Sequence, residues 1–302
     1  MFSPETLDGG HWAAGLRLTY TRPERRRDAV LEALANRGVA AHNTDYNLNA
    51  SAGIAYGVSH HLTVSAELPY VRRDDLREGV AGDGVEQLGS VAGLGDLSLL
   101  AKYRLTEGEH ARFAFVAGLK LPTGSTHRRS PDGERLETEH QPGTGSWDPI
   151  FGASASAALG AVQLSASALY QLATRGAQAT RLGSRITGGM ALSHRFGRGD
   201  EHQITHNHHH GDELDEHPQL PPHSAWEAFV ELAGEWEGRQ SIGGVTERAS
   251  GGEWAWVAPG LRFNAAAGWS AAAAIAVPLW QRIRASHRDN RYRLMLSLGR
   301  AF

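Results

Sequence analysis

Between Glu201 and His217 the chain concentrates side chains able to hold a metal: His202, His206, His208, His209, His210 and His217, with Asp212 and Glu213 among them. Neutral imidazole offers nitrogen ligands to Zn, Cu or Ni, and neighbouring carboxylates complete or orient such sites. The spacing fits no closed structural-zinc pattern, and a solvated His-rich loop takes up metal without needing it. Two readings therefore stand side by side, a metal-binding or metal-passing loop and a plain polar connection.

A second set of chemistry-bearing residues is spread along the chain: Glu67, Asp96, Lys102, Arg104, Lys120, Asp148, Arg185, Glu227, Glu231, Glu235 and Arg293. Most occupy the polar face of a segment whose other face is apolar. Such charges either set up a transverse field that orients a polar solute, or pair with one another and fill a narrow interior. No local Ser/His motif or nucleophile elbow marks a hydrolase, although an outer-membrane lipase-like hydrolase is the enzyme alternative that Ser and His usage leaves. No enzyme activity and no required cofactor are expected, with Zn, Cu or Ni entering only through the His-rich segment. The Gly-rich pieces around Gly79–Gly95 and Gly143–Gly145 lack the lysine and the strand-to-helix setting of a phosphate loop, and read as loops.

What positions these groups is a repeat of alternation. Mean hydropathy is −0.38, and no stretch of about 20 apolar residues is present, which excludes a transmembrane helix. With 30 basic against 33 acidic side chains there is no electrostatic case for nucleic acid, and the absence of cysteine removes disulfides and thiolate sites. Trp12, Ala14, Leu16, Leu18 and Tyr20 share one face of the first segment while Arg17 and Thr19 share the other. Tyr46 to Val58 and Leu62 to Tyr70 repeat the pattern around a tight Ser59–His61 turn, a hairpin signal.

Further segments follow: Leu97–Leu105, Phe113–Leu121, Trp147–Leu159, Val162–Leu172, Arg185–Phe196, Trp226–Trp236, Gly252–Phe263, Trp269–Ile283 and Tyr292–Phe302. In the tenth, Trp254 and Trp256 read as outward, and the later outward Leu261 and Phe263 then demand a parity change, assigned to a bulge at Pro259 and Gly260. Arg300 falls on an apolar face, where a long cation snorkels to the interface.

Alternation of this length with flanking aromatics predicts an all-β fold, a transmembrane antiparallel β-barrel of roughly twelve strands, with both termini periplasmic because the number is even. Residues 1–302 form a single barrel domain on this reading. Residues 23–43, 74–92, 122–146, 174–183, 238–250 and 284–290 become external loops, and 197–224 becomes a His-rich periplasmic loop. Glu24 to Ala35 reads either as a short helix covering the pore or as a charged loop. The first residues, MFSPETLDGGHW, carry neither the basic segment nor the apolar run of a secretory leader, so the barrel reading expects that leader to have been removed.

Three short motifs carry a family resemblance: Gly93-Leu94-Gly95-Asp96-Leu97-Ser98, Gly118-Leu119-Lys120-Leu121-Pro122-Thr123-Gly124, and Pro142-Gly143-Thr144-Gly145-Ser146-Trp147-Asp148. They resemble the outer-membrane proteins named for the MetA pathway of phenol degradation, described as transporters. The resemblance implies a barrel in the bacterial outer membrane through which small, aromatic or hydrophobic compounds pass. The terminal Phe302 is similar to the assembly signal of many barrels.

The function expected is passive diffusion of a small solute through the outer membrane, with outer-membrane lipid and that solute as partners and no nucleic acid. A metal-related barrel that uses the His-rich loop, handing ions to or holding a periplasmic partner, is the alternative. Pro69, Pro259 and Pro278 weaken strand pairing and mark where a hydrophobic solute would leave sideways through the wall.

Overall fold

The computed structural model describes residues 3–106, 111–196, 224–284 and 289–302. Its body is a ring of twelve antiparallel strands. In chain order these are β1 (Trp12–Pro23), β2 (Tyr46–Ser59), β3 (Leu62–Val80), β4 (Ser98–Arg104), β5 (Ala111–Lys120) and β6 (Asp148–Leu159). The second half comprises β7 (Val162–Gln171), β8 (Arg185–Phe196), β9 (Ala225–Glu237), β10 (Gly252–Asn264), β11 (Trp269–Ile283) and β12 (Asn290–Ala301). Each strand pairs with its neighbour in sequence, and β1 pairs with β12 from Ala13↔Ala301 to Thr21↔Arg293, so the sheet closes on itself. Closure matters physically because a sheet without edges leaves no backbone N–H or C=O facing hydrocarbon.

Alternation dictates which side chains see that hydrocarbon. Leu16, Phe113, Phe115, Leu232, Leu296 and Leu298 all lie exposed on the outer face. A soluble protein of this size would not leave so wide an apolar surface uncovered. Aromatic pairs ring both ends of the belt. Trp12 packs on Tyr56 at 4.5 Å and Trp226 on Phe263 at 4.9 Å at one end, while Tyr20 packs on Tyr46 at 5.3 Å at the other. Arg300 lies over the rings of Trp269 and Phe302 at 5.2 and 4.6 Å, so the cation on the apolar face sits in the aromatic girdle as snorkelling requires.

Twelve strands put both termini at the end of the barrel that carries the short turns, such as His60–His61 and Gly160–Ala161. Among the described residues, the long connections gather at the opposite end and differ from simple loops. The expected loop 74–92 is instead a hairpin, because β3 runs on to Val80 and pairs with a strand at Gly84–Leu94. Turn-type residues hid this hairpin in the sequence. What orders it is tertiary burial of Leu76, Leu88 and Val91 against Leu136. Of the two readings of 24–35, the helix is the one that forms, over Asp28–Ala35; it buries Leu31, while Val30 stays exposed. It lies so close to the hairpin that a Cβ on Gly79 would come within 2.2 Å of the Leu31 carbonyl oxygen.

A second correction concerns β10. Trp256 is 1% exposed and points inward together with Trp254, Ala258 and Gly260, so the parity of β10 is unbroken and no bulge is needed at Pro259–Gly260. The irregularity lies across the ladder in β11, where Ala255 faces Trp280 but Trp256 faces Pro278, leaving Leu279 as the extra residue. Leu279 and Trp280 are consequently both exposed, at 61% and 49%.

β11 also parts from β12. Their ladder runs from Trp269↔Arg300 to Ala276↔Arg293 and stops, although β11 continues to Ile283 and β12 begins at Asn290. Among the described residues, the strand-like contact above that point is made by a side chain: the Gln281 amide accepts from the Asn290 N–H at 2.8 Å and donates to its carbonyl at 3.0 Å.

Candidate functional site

Contacts that skip strands can be made only through the interior, and they identify the lumen. One wall, built by β9, β10 and β12, is aromatic. Trp256 packs with Ala258 and Ala276, and Trp254, Ala233 and Met295 lie against them. Phe229 lies over Gly260, where an added Cβ would meet its ring at 2.3 Å, so glycine makes room for the ring. Two ion pairs bracket this patch. Glu227 accepts from Arg262 at 3.1 and 3.2 Å, and Glu235 takes both guanidinium nitrogens of Arg293, one at 3.1 Å. The Arg293 guanidinium lies 4.0 Å over the ring of Trp256, a cation–π contact across β11.

The facing wall is polar. Arg17 pairs with Glu67 at 3.5 Å. The segment before β1 folds into this side at the short-turn end: Lys102 donates to the Ser3 carbonyl at 3.1 Å, Arg112 to Glu5 at 2.6 Å, and the Leu7 N–H to Thr63 at 2.8 Å. Pro4 within it is fully buried. Such a segment narrows the mouth it occupies. Removing residues 3–8 is expected to raise single-channel conductance severalfold in planar bilayers, and an unchanged conductance would show that the segment leaves the path open.

The three family motifs converge on one buried polar cluster at the long-loop end. Lys120 donates to Asp96 and to Asp148, each at 2.9 Å, and to Thr144 and Ser146. Asp96 also accepts from the Gly124 N–H at 2.9 Å and from the Thr144 N–H at 2.8 Å. Asp148 accepts from Gln171 at 3.0 Å and the Thr174 N–H at 2.9 Å. All three charged residues are nearly inaccessible, at 6% for Asp96, 7% for Lys120 and 2% for Asp148. Burial opposes ionisation of Asp96, yet the hydrogen bonds from Lys120 and Thr144 outweigh it and hold its carboxyl below the usual range. The glycines of the motifs serve the same clasp: a Cβ on Gly143 would meet Gly124 backbone at 2.4 Å.

The residues singled out from sequence thus fall into separate groups. Asp96, Lys120 and Asp148 form the clasp; Glu227, Glu235 and Arg293 flank the aromatic wall, with Glu231 between the two pairs on β9. Glu67 and Lys102 lie on the polar wall. Arg104 ends β4, where its N–H donates to the His61 carbonyl at 2.8 Å, and Arg185 pairs with Glu237 at 3.0 Å where β8 meets the loop end. The metal candidates His202, His206, His208, His209, His210, Asp212, Glu213 and His217 lie outside the described residues.

A different group was missed. His42, Glu137, Glu139 and His140 bring one ligand atom each within 4.8 Å of one another. The connection holding His42 and the one holding the other three meet there, 98 residues apart between His42 and His140. No local spacing could reveal it, since only loop packing joins them. Desolvation lowers the His42 pKa, but Glu139, Glu78 and Glu137 outweigh it and raise the group above its ordinary value. Glu137 is pushed up to about 7 by desolvation and by the charges of Glu139 and Glu78. The inward Trp254 and Trp256 were read as outward, because an aromatic in an alternating strand counts first as a lipid-facing one, and Phe229, which shares the parity of Glu227, Glu231 and Glu235, was not singled out.

A closed barrel with an apolar belt, two aromatic girdles and a lumen half aromatic and half charged defines the class of outer-membrane β-barrels. The chain belongs to the family described as "Putative MetA-pathway of phenol degradation", whose model matches residues 27–219, more than half of its length. Among solved structures it is similar to the COG4313 outer membrane channel from Pseudomonas putida F1, at 18% identity and a TM-score of 0.60, covering 99% of this chain and 97% of that one. The beta domain of the Bordetella autotransporter BrkA aligns over 98% of this chain and 100% of that one, at 12% identity and a TM-score of 0.48. No curated protein sequence matches the chain.

Proposed function

We propose that this barrel is a passive outer-membrane channel for small hydrophobic solutes carrying an aromatic group, and that it performs no chemistry on them. The observation that carries the reading is the inward aromatic wall of Phe229, Trp254 and Trp256, which a channel for hydrophilic solutes would have no reason to keep. Both the family description and the channel named among similar structures agree with it. On this reading the long loops and their clasp face the cell exterior and the termini face the periplasm. The lumen charges divide their labour. Asp96, Lys120 and Asp148 hold the loop layer, while Glu227, Glu235 and Arg293 keep water and counter-charge beside the greasy wall. Cells carrying the protein in their outer membrane should take up radiolabelled toluene several-fold faster than cells without it, and show no matching gain for a neutral sugar of similar size. Equal toluene uptake by the two strains would refute the proposal.

A second reading concerns the exit. β11 and β12 are unpaired above Ala276↔Arg293, with Pro278 and the Leu279 bulge in the same stretch, so the wall there lacks the ladder that elsewhere seals it. A greasy solute leaving the aromatic wall, to which Arg293 of β12 belongs, would meet lipid there. The chain has no cysteine, so a Val277→Cys/Tyr292→Cys pair can be oxidised without ambiguity. Oxidation should abolish toluene uptake and reduction restore it; uptake insensitive to the crosslink would rule out the lateral route and leave the axial one.

A further inference from the structure

The connection between β1 and β2 and the connection between β5 and β6 meet at four side chains of a kind found together in metal centres. His42 Nε2 lies 2.8 Å from Glu139 Oε1, His140 Nε2 lies 3.5 Å from the same oxygen, and His140 Nε2 lies 3.2 Å from His42 Nδ1. Four ligands held about 2.0–2.1 Å from a zinc ion sit on tetrahedron edges of about 3.4 Å. One ligand atom from each of His42, Glu137, Glu139 and His140 lies within 4.8 Å of the others, close enough for a single ion to draw them into one shell with His42 using one of its two ring nitrogens. His140 is buried and His42 nearly so, with side chains 8% and 10% exposed, and Glu139 is 16% exposed, so bulk water does not compete freely for the ion. Glu137 adds the fourth ligand atom, a second carboxylate oxygen, from the accessible side.

The surroundings suit a divalent ion. Glu78 stands 3.7 Å from His42 Nδ1, within reach as an orienting carboxylate. Arg73 donates to the His140 carbonyl at 3.2 Å and so fixes the backbone that carries His140 and Glu139. Two imidazoles exclude calcium and magnesium as the preferred occupants, since those ions choose oxygen, and favour zinc, nickel or copper.

We propose that His42, Glu137, Glu139 and His140 bind one divalent transition-metal ion, zinc foremost, which staples the β1–β2 connection to the β5–β6 connection at the long-loop end. None of its four ligands belongs to the His-rich segment 202–217, and the site does not depend on what the lumen carries. Its role is structural, because four protein ligands leave no open position for catalysis. The ion joins the helix side of the cap to the clasp side.

The test uses the full-length protein in detergent, stripped with EDTA and titrated with Zn²⁺ against a competing chelator dye. One form keeps the native sequence, a second carries His42→Gln with His140→Gln, and a third replaces His202, His206, His208, His209, His210 and His217 by Ser. The third form should retain one tight equivalent of zinc, and the second should have one fewer than the native protein. Heat-modifiable gel migration shows that each form is folded. Equal numbers of tight equivalents in the native and His42→Gln/His140→Gln proteins would overturn the proposal. If that double variant fails to fold, Glu139→Gln decides: in the background lacking the loop histidines it should weaken zinc binding at least tenfold, and unchanged affinity would overturn the proposal equally.

Discussion

Replacing Lys120 with methionine will detach the loop layer from the barrel while the barrel itself persists. Lys120 is the cation paired with both Asp96 and Asp148, and its removal leaves two buried carboxylates close together with their remaining donors. Breaking a buried pair by deleting one partner costs about 3–5 kcal/mol, enough to shift an ordered loop layer toward its open form. Protease cleavage within 121–147 should appear in Lys120→Met and be absent from the native protein, and single-channel conductance should rise. Resistance equal to the native protein would show that the clasp contributes little. Acid acts on the same joint. The Asp96 carboxyl titrates below its unfolded value of about 3.9, so its stabilising share is complete above that pH and is lost as pH falls further through the folded value. Loosening of the cap by acid alone is thus expected only below about pH 4.

The second large effect is expected from Phe229→Ala combined with Trp254→Ala. These two rings are half-buried and within reach of a solute, whereas Trp256 lies beneath the Arg293 guanidinium. An aromatic contact is worth about 0.5–1.5 kcal/mol beyond its buried area, so losing two such faces should lower uptake of toluene by about tenfold. The same change widens the lumen and should raise small-ion conductance. Opposite signs in the two assays distinguish loss of a recognition surface from general collapse of the barrel. Toluene uptake unchanged in this variant would mean that the aromatic wall is packing and nothing more.

Twelve strands were legible because alternation with a period of two is imposed by lipid on every stave, and its phase could be read from Trp12, Leu16, Leu232 or Leu298 alike. The phase failed at Trp254 and Trp256, where an aromatic reads as lipid-facing by default and the ring turns inward against Ala258 and Ala276. The bulge was consequently assigned to the wrong strand, since a parity error in β10 and an extra residue in β11 leave similar traces. The cap was illegible for another reason. Leu76, Leu88 and Val91 come from the hairpin and Leu136 from the β5–β6 connection, and no local period announces that they share a small core. Asp96, Lys120 and Asp148 were found as charges on strand ends, and their union needed the fold of residues 121–147. The His42 cluster had no signal at all beyond two ordinary histidines.

The lumen's division into a greasy side and a charged side means that two kinds of traffic need not share a lane. Hydrated ions would keep to the flank of Arg17, Glu67 and Lys102, while a ring-bearing molecule slides along Phe229 and Trp254. Electrical current through this pore then reports its bore and its hydrated path, not the passage of uncharged cargo. A variant that looks silent on a bilayer rig can still deliver its organic cargo at full speed.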